Sequence, residues 1–382
     1  MSKSIRIIYL VVSSSADGSN IALLNLLELL APKEVEPIVV MPSKGRLSEM
    51  LVERKIQYKQ IKFYYSIYPE IKNIRDKVLF LPRLMRTLIF NKIAEKRLIH
   101  LARNFKAEII HTNIGLLHIG YKVAKKLNIP HVWHIREYQD LNCGCLPLFT
   151  KNGFIKKICS KKNYPISITK GLYNHYKMKS NAKVIYDGVM KVAQAQFIPP
   201  KKKYFLFVGR LEEAKGIREL IATFIDFAQQ EKEYKLLIAG DGADVFKTTL
   251  SKMVTHARMG ERIVFLGFRS DINDLMSRAT ALVVPSKYEG FGFTTVEAMF
   301  NGCLVVGKNS GGTKEILGPD NLGILYNENS ELVAIFHELV RSGIESHFST
   351  ILKAQKVASK LYSCESHSNE VFKLYKNVIC HL

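Results

Sequence analysis

Short runs rich in Val, Ile and Leu alternate with helical patterns along nearly the whole chain, and this alternation limits the possible folds more than any other feature. In the first half the runs are IRIIYLVVS (5–13), EPIVVM (36–41), AEIIHTN (107–113), HVWHIRE (131–137) and PISITK (165–170). In the second they are YFLFVG (204–209), YKLLIAG (234–240), RIVFLG (262–267), ALVVPS (281–286), CLVVG (303–307) and LGILY (322–326). Continuous apolar runs suit strands covered on both faces, as in parallel sheets. Stretches such as IRELIATFIDFAQQ (217–230) carry the period of the helices that complete βαβ units. The expected class is α/β, with two Rossmann-like doubly wound domains. A chain of 382 residues is long for one core and comfortable for two.

The segment MKVAQAQFIPPKKK (190–203) has a Pro-Pro pair and a lysine run, which suit neither strand nor helix. The expected division is an N-terminal domain over 1–190, a linker over 191–203 and a C-terminal domain over 204–365. A last helix over 366–382 has the N-terminal domain as a candidate packing surface. Two such domains would face a central cleft, and ligands of open α/β sheets bind outside the carboxyl ends of the strands.

Charge is segregated. Residues 1–200 hold 33 Lys+Arg against 13 Asp+Glu, while residues 201–382 hold 23 against 21. A basic half attracts polyanions: nucleic acid, anionic lipid headgroups or a phosphate-bearing substrate. No aromatic-basic RNA motif or zinc finger is present, so no nucleic-acid partner is expected. The segment IRDKVLFLPRLMRTLIFNKIAEKRLIHLARNF (74–105) interleaves Lys/Arg with Leu, Ile and Phe. Pro82 is expected to break it into a short and a longer helix, and a basic amphipathic helix suits an anionic membrane surface. FIKKICSKK (154–162) adds a second basic cluster. No apolar run reaches the roughly 18 residues of a membrane span, and IRIIYLVV reads as a buried strand. The expected location is the cytoplasm, peripheral on the inner face of the membrane. Six cysteines are scattered, and the C-x-C of Cys143 and Cys145 lacks a second pair at metal-ligand spacing, so free thiols are expected.

The second half concentrates unusual chemistry at its strand ends. Its first strand runs into GRLEEAKGI (209–217), where Arg210 and Lys215 flank a turn that opens a helix. Backbone N–H groups at a helix start, joined by two cations, suit a diphosphate. The following strands end in AGDG (239–242), LGF (266–268) and PSKYEGFG (285–292), so four successive ends carry glycine, which lets backbone approach a ligand closely. In PSKYEGFGFTTVEAM (285–299), Glu289 and Glu297 stand eight positions apart. Thr294 and Glu297 fit a capping box, a purely structural use of Glu297. The functional alternative is that both carboxylates accept hydrogen bonds from sugar hydroxyls, as the ribose-binding acid of dinucleotide folds does.

These residues resemble the E-x7-E signature of the retaining glycosyltransferases of CAZy family four, which have the GT-B fold. The match runs in order through GRLEEAKG, LLIAGDG, IVFLGFRSD, ALVVPSKYEGFGFTTVEAM and GTKEIL, and more loosely through AEIIHTN, IPHVWHIREY and ISITKGLYNHY with VIYDGV. The resemblance implies that Arg210 and Lys215 hold the donor diphosphate and that Glu297 binds the nucleotide ribose. Glu289 would face the donor sugar, with the backbone of Gly290, Phe291, Gly292 and Phe293 holding sugar and phosphate. Gly209 and Gly240 would line the donor site, Phe268 would meet the base through its backbone, and Gly18 would approach the phosphates. The family's donor-side histidine falls on Arg136, with His134 two residues earlier on the same strand face, and either could serve.

The activity so implied is transfer of a hexose-type sugar from a nucleotide-sugar, a UDP-sugar first among candidates. The acceptor would be a saccharide or lipid-linked saccharide of cell-surface polysaccharide assembly, such as lipopolysaccharide or capsule. No cofactor or metal is expected. The alternative is a non-catalytic nucleotide-sugar or polyanion-binding protein on the same fold, which would be expected to lack one of Arg210, Lys215, Glu289 or Glu297.

Overall fold

The computed structural model describes residues 4–380 apart from 16, 72, 140–145 and 288, so Cys143 and Cys145 lie outside the described residues. The chain divides into two compact units, residues 1–188 with 364–382, and residues 189–363.

The first unit is built on a parallel sheet of β1 (Ile5–Leu10), β2 (Val35–Met41), β3 (Gln57–Gln60), β4 (Ile109–Thr112), β5 (His131–Ile135), β6 (Asn163–Ser167) and β7 (Lys183–Val184). Their order is β3-β2-β1-β4-β5-β6-β7. Both faces are covered, as the unbroken apolar runs require. Ile7 and Tyr9 of β1 enter one core with Leu23, Leu27, Val371 and Tyr375, while Ile8 and Leu10 enter another with Leu98, Ala102 and Val123. The first face is thus covered by the helices Gly18–Leu30 and Cys364–Cys380, so the last helix packs in this unit. The sequence reading missed β3 and β7, which are edge strands, short and largely polar, without the apolar run that marks a central strand.

Where a break at Pro82 was expected, a single helix runs from Ile74 to Phe105. A proline inside a helix leaves the carbonyl four residues earlier without its donor. That residue, Val78, is exposed like Pro82, so solvent can satisfy its carbonyl.

The second unit has a parallel sheet of β8 (Lys202–Val208), β9 (Lys235–Ala239), β10 (Ile263–Gly267), β11 (Ala279–Val284), β12 (Leu304–Lys308) and β13 (Ile324–Tyr326), in the order β10-β9-β8-β11-β12-β13. The helix Ile217–Gln230 has the bounds its period predicts, and its Phe224 and Phe227 pack with Phe205 and Phe336 in the core. The segment 191–203 is built into this unit. The Gln196 N–H donates to the Phe300 carbonyl at 2.9 Å, and the Lys201 ammonium donates to the carbonyls of Ser277 (2.5 Å) and Gly302 (2.6 Å).

Gly240 fixes how β8 and β9 end. Its φ is +144°, and a Cβ there would lie 1.8 Å from the Gly209 carbonyl oxygen. Backbone cannot yield to such a clash. Gly240→Ala is therefore expected to cost about 2–4 kcal/mol and to lower the melting temperature by several degrees. An unchanged melting temperature would contradict this packing.

Candidate active site

Three loops of the second unit meet at the carboxyl ends of β8, β11 and β12, and glycines let them meet. Gly216, at φ +69°, has its hydrogen side against the Pro285 carbonyl, 2.5 Å from where a Cβ would sit. Gly311 faces the Glu289 carbonyl in the same way, and a Cβ on Gly312 would lie 1.8 Å from the Phe291 carbonyl. The Gly312 N–H donates to the Glu289 carbonyl at 2.8 Å. These contacts lock the 285–292 turn between its neighbours. They also place Lys215, the residue before Gly216, beside that turn. Its ammonium bonds the Glu289 carboxylate at 2.7 Å, with both side chains largely shielded from solvent. The sequence reading treated the strand-end glycines as room for a ligand. At Gly216, Gly240, Gly311 and Gly312 the close approach is by the protein's own backbone.

Glu297 is not a capping residue. The helix begins at Phe293, its N-cap is Gly292 at φ +108°, and Thr294 already lies inside the first turn. A glycine cap supplies no side-chain acceptor, so the first N–H groups of this helix are offered outward. Glu297 projects from the second turn. Among the described residues no side chain or backbone N–H donates to its carboxylate, and burial alone pushes its pKa above the ordinary carboxylate range. The side chain is half-buried, so water can meet this carboxylate and ligand hydroxyls could take that water's place.

Arg210 is mostly exposed at the end of β8, 3.3 Å from the Glu212 carboxylate. Phe268, after Gly267 at the end of β10, is 86% exposed. Phe291 is buried and its ring meets that of the half-buried Phe293 edge-on at 5.3 Å. The strand ends thus bring a cation pair, two carboxylates, an open helix start and an exposed aromatic to one edge of one sheet. That set can bind an anion beside a polyhydroxyl group.

Residues 191–353 match the family model described as glycosyl transferases group 1. The match spans most of the second unit, which is therefore similar to the group 1 glycosyltransferases. An uncharacterized glycosyltransferase of Methanocaldococcus jannaschii is 28% identical over 64% of this chain and 63% of its own length. The alpha-monoglucosyldiacylglycerol synthase of Acholeplasma laidlawii is 26% identical over 74% of this chain and 79% of its own. Among solved structures, Anabaena HepE in complex with UDP and glucose superposes with a TM-score of 0.76 at 18% identity, over 97% of this chain and 99% of that one. The fold is GT-B.

The first unit corrects two expectations. His134 and Arg136 do share a face of β5, but that face is interior. His134 is fully buried, with its Nδ1 3.1 Å from His111 Nε2. The Arg136 guanidinium bonds the buried Asp187 carboxylate and donates to the Asn113 backbone and side-chain oxygens, both at 3.2 Å. The network continues through His111 Nδ1 to the Tyr375 hydroxyl at 2.5 Å and on to the Tyr9 hydroxyl at 3.1 Å. It ties the last helix to β1, β4 and β5. His367 joins it by accepting the Gly188 N–H on Nδ1 at 2.6 Å, which leaves its proton on Nε2. His134, Asp187 and His367 offer ligand atoms within 4.8 Å of one another, but a metal ion there would meet the Arg136 guanidinium.

Gly18 starts a helix whose first turn is already served. The Asp17 carboxylate accepts the Asn20 N–H at 3.1 Å and the Ser19 hydroxyl at 2.7 Å. A carboxylate in that place repels the phosphates Gly18 was expected to approach. Sequence reasoning also missed Asp187, which lies in the quoted VIYDGV, and the backbone role of Gly311 and Gly312 beside GTKEIL. A strand-end Asp and a Gly-Gly pair are the signals that were present.

Burial keeps His111, His118, His131, His134 and His367 neutral, with His131 and His367 pushed down to about 3. Glu137, clipped to the Leu116 N–H at 3.0 Å, is raised by burial to about 7 and acts with opposite sign, as do Asp187 and Glu297, which burial also raises. Unfolded histidines take up protons below about 6.5 that the folded ones refuse, so their contribution is lost as pH falls. Five groups outweigh three. The melting temperature should drop between pH 7 and pH 5, and a flat profile by calorimetry would contradict the neutral network.

Proposed function

We propose that the chain is a retaining hexosyltransferase whose donor, a UDP-sugar, binds at the strand ends of the second unit. The observation that carries this reading is the half-buried Glu297 carboxylate, unpaired among the described residues, on the helix whose open start adjoins the Lys215–Glu289 pair. Two ribose hydroxyls would donate to this carboxylate in place of water. The diphosphate would lie on the first N–H groups of the helix Phe293–Phe300, with Arg210 and Lys215 at its oxygens. Phe268 would mark the base. The UDP and glucose in HepE and the UDP named for Staphylococcus aureus TarM favour uridine.

Chemistry then needs little from the protein beyond charge. The acceptor hydroxyl attacks the anomeric carbon from the face the diphosphate leaves. The carbon–oxygen bond to the diphosphate breaks, and a phosphate oxygen takes the acceptor's proton, so no dedicated base is required. Arg210, Lys215 and the helix amides stabilise the charge that develops on the leaving group. Glu289 orients the sugar. This scheme asks for no metal.

In the resting state Lys215 is neutralised by Glu289, so donor binding must draw the lysine toward the diphosphate. The acceptor is proposed to be a saccharide or lipid-linked saccharide used in surface-polysaccharide assembly. The first unit's charge would hold it at an anionic membrane, on the cytoplasmic side. A groove of ≈ 1080 Å³ in that unit is lined by Tyr64, Tyr65, Tyr68, Phe80, Arg83 and Arg86, and offers aromatic faces for sugar rings.

Thermal shift and calorimetric titration with UDP, GDP and ADP test this. UDP should bind, and Glu297→Ala should weaken it about 10–100-fold, the worth of hydrogen bonds to a charged group. Glu289→Ala should leave UDP affinity unchanged or tighter, because Lys215 is released, while turnover falls by about 100-fold or more. Equal UDP affinity in wild type and Glu297→Ala would refute the donor assignment.

A further inference from the structure

Of the sixteen exposed large apolar side chains among the described residues, seven lie on the helix Ile74–Phe105. Six of them, Ile74, Val78, Leu81, Met85, Leu88 and Ile89, recur at spacings of three and four, so they form one stripe. The stripe faces away from the unit. The buried residues of this helix, Thr87, Ala94, Leu98 and Ala102, lie on the opposite side. At 1.5 Å per residue it is about 22 Å long. Soluble surfaces rarely leave so long a contiguous apolar row uncovered.

Beyond Ile89 the centre of this face changes character, with exposed Ile93 displaced toward the flank of the arginine row. Lys92, Lys96 and Arg103 continue its spacing and are exposed. Arg75, Arg86 and Arg97, eleven residues apart and all exposed, form a row along one flank. The helix therefore presents an apolar first half and a cationic second half on one side. No helix among the described residues is long and apolar enough to cross a membrane.

Resting on the membrane reading above, we infer that this outer face is the membrane-docking surface: the stripe Ile74–Ile89 inserts below the headgroups of an anionic leaflet, and Lys92, Lys96 and Arg103 stay at phosphate depth. Charge selects this occupant. A second copy of the chain would bring a like-charged surface against the helix, since residues 1–200 carry 20 more cationic than acidic side chains. An anionic lipid surface meets both halves, apolar chains beside the stripe and phosphates beside the lysines. The long flanking side chains can reach outward to phosphate while their stems lie on the apolar row. The docked face lies opposite the groove side of the helix, so docking leaves Arg83 and Phe80 accessible from the unit.

The test is co-sedimentation with phosphatidylcholine vesicles containing 30 mol% phosphatidylglycerol, using wild type, Leu81→Gln/Leu88→Gln and Lys92→Glu/Lys96→Glu. The substituted side chains are exposed, so melting temperatures should match wild type. The expected result is wild-type binding that falls at least tenfold in each double variant. The lysine variant should lose the dependence on phosphatidylglycerol. Wild-type binding that both variants retain would overturn the helix assignment and leave the membrane reading standing. Failure of wild type to bind would overturn both. A wild-type dimer that Leu81→Gln/Leu88→Gln converts to monomer, without vesicle binding, would assign the stripe to a second copy instead.

Discussion

The close seating of the 285–292 turn against its neighbours governs the candidate site. Backbone carbonyls of Pro285, Glu289 and Phe291 press on Gly216, Gly311 and Gly312, where any side chain would collide. That seating puts the Lys215 ammonium on the Glu289 carboxylate and leaves the helix after Gly292 with an open, uncapped start. It also sets Glu297 one turn further along, half-buried and unpaired among the described residues. Rigid strands hold these loops in place. The proposed donor would set an anion at the helix start and hydroxyls at the carboxylate.

The two units use polar groups in opposite ways. In the second, charged groups at the strand ends are exposed, as Arg210 is, or paired with a single partner, as Lys215 is with Glu289. In the first, the corresponding face of β5 is closed by its own partners, with Arg136 on Asp187 and His134 on His111. Removing one member would strand buried charge, so this network holds the last helix onto the sheet. The first unit's exposed chemistry lies elsewhere, on the long helix and in the groove beside it.

Much of this was legible in the sequence. Central strands announced themselves because burial on both faces demands unbroken apolar runs, and the helix 217–230 because its apolar period is regular. Edge strands such as Gln57–Gln60 did not, since one side of an edge needs no apolar run. The spacing of Arg210, Lys215, Glu289 and Glu297 drew attention to one locus, and the structure places them along one sheet edge. What local pattern could not decide was direction. A strand's alternation puts His134 and Arg136 on one face without saying that Asp187 and His367, distant in sequence, close it. Threonine followed by glutamate three residues on looked like a cap, yet the strained Gly292 took the cap position because Gly312 packs on the preceding Phe291. Pro82 looked like a break, but an exposed carbonyl tolerates the lost bond.

The account turns on where the nucleotide sits. A crystal structure of the protein with UDP would decide it. The account predicts ribose hydroxyls on the Glu297 carboxylate, diphosphate oxygens on the first amides of the helix Phe293–Phe300, and Lys215 turned from Glu289 toward phosphate. UDP bound elsewhere, or bound with Lys215 still on Glu289 and the Glu297 carboxylate bare, would contradict it.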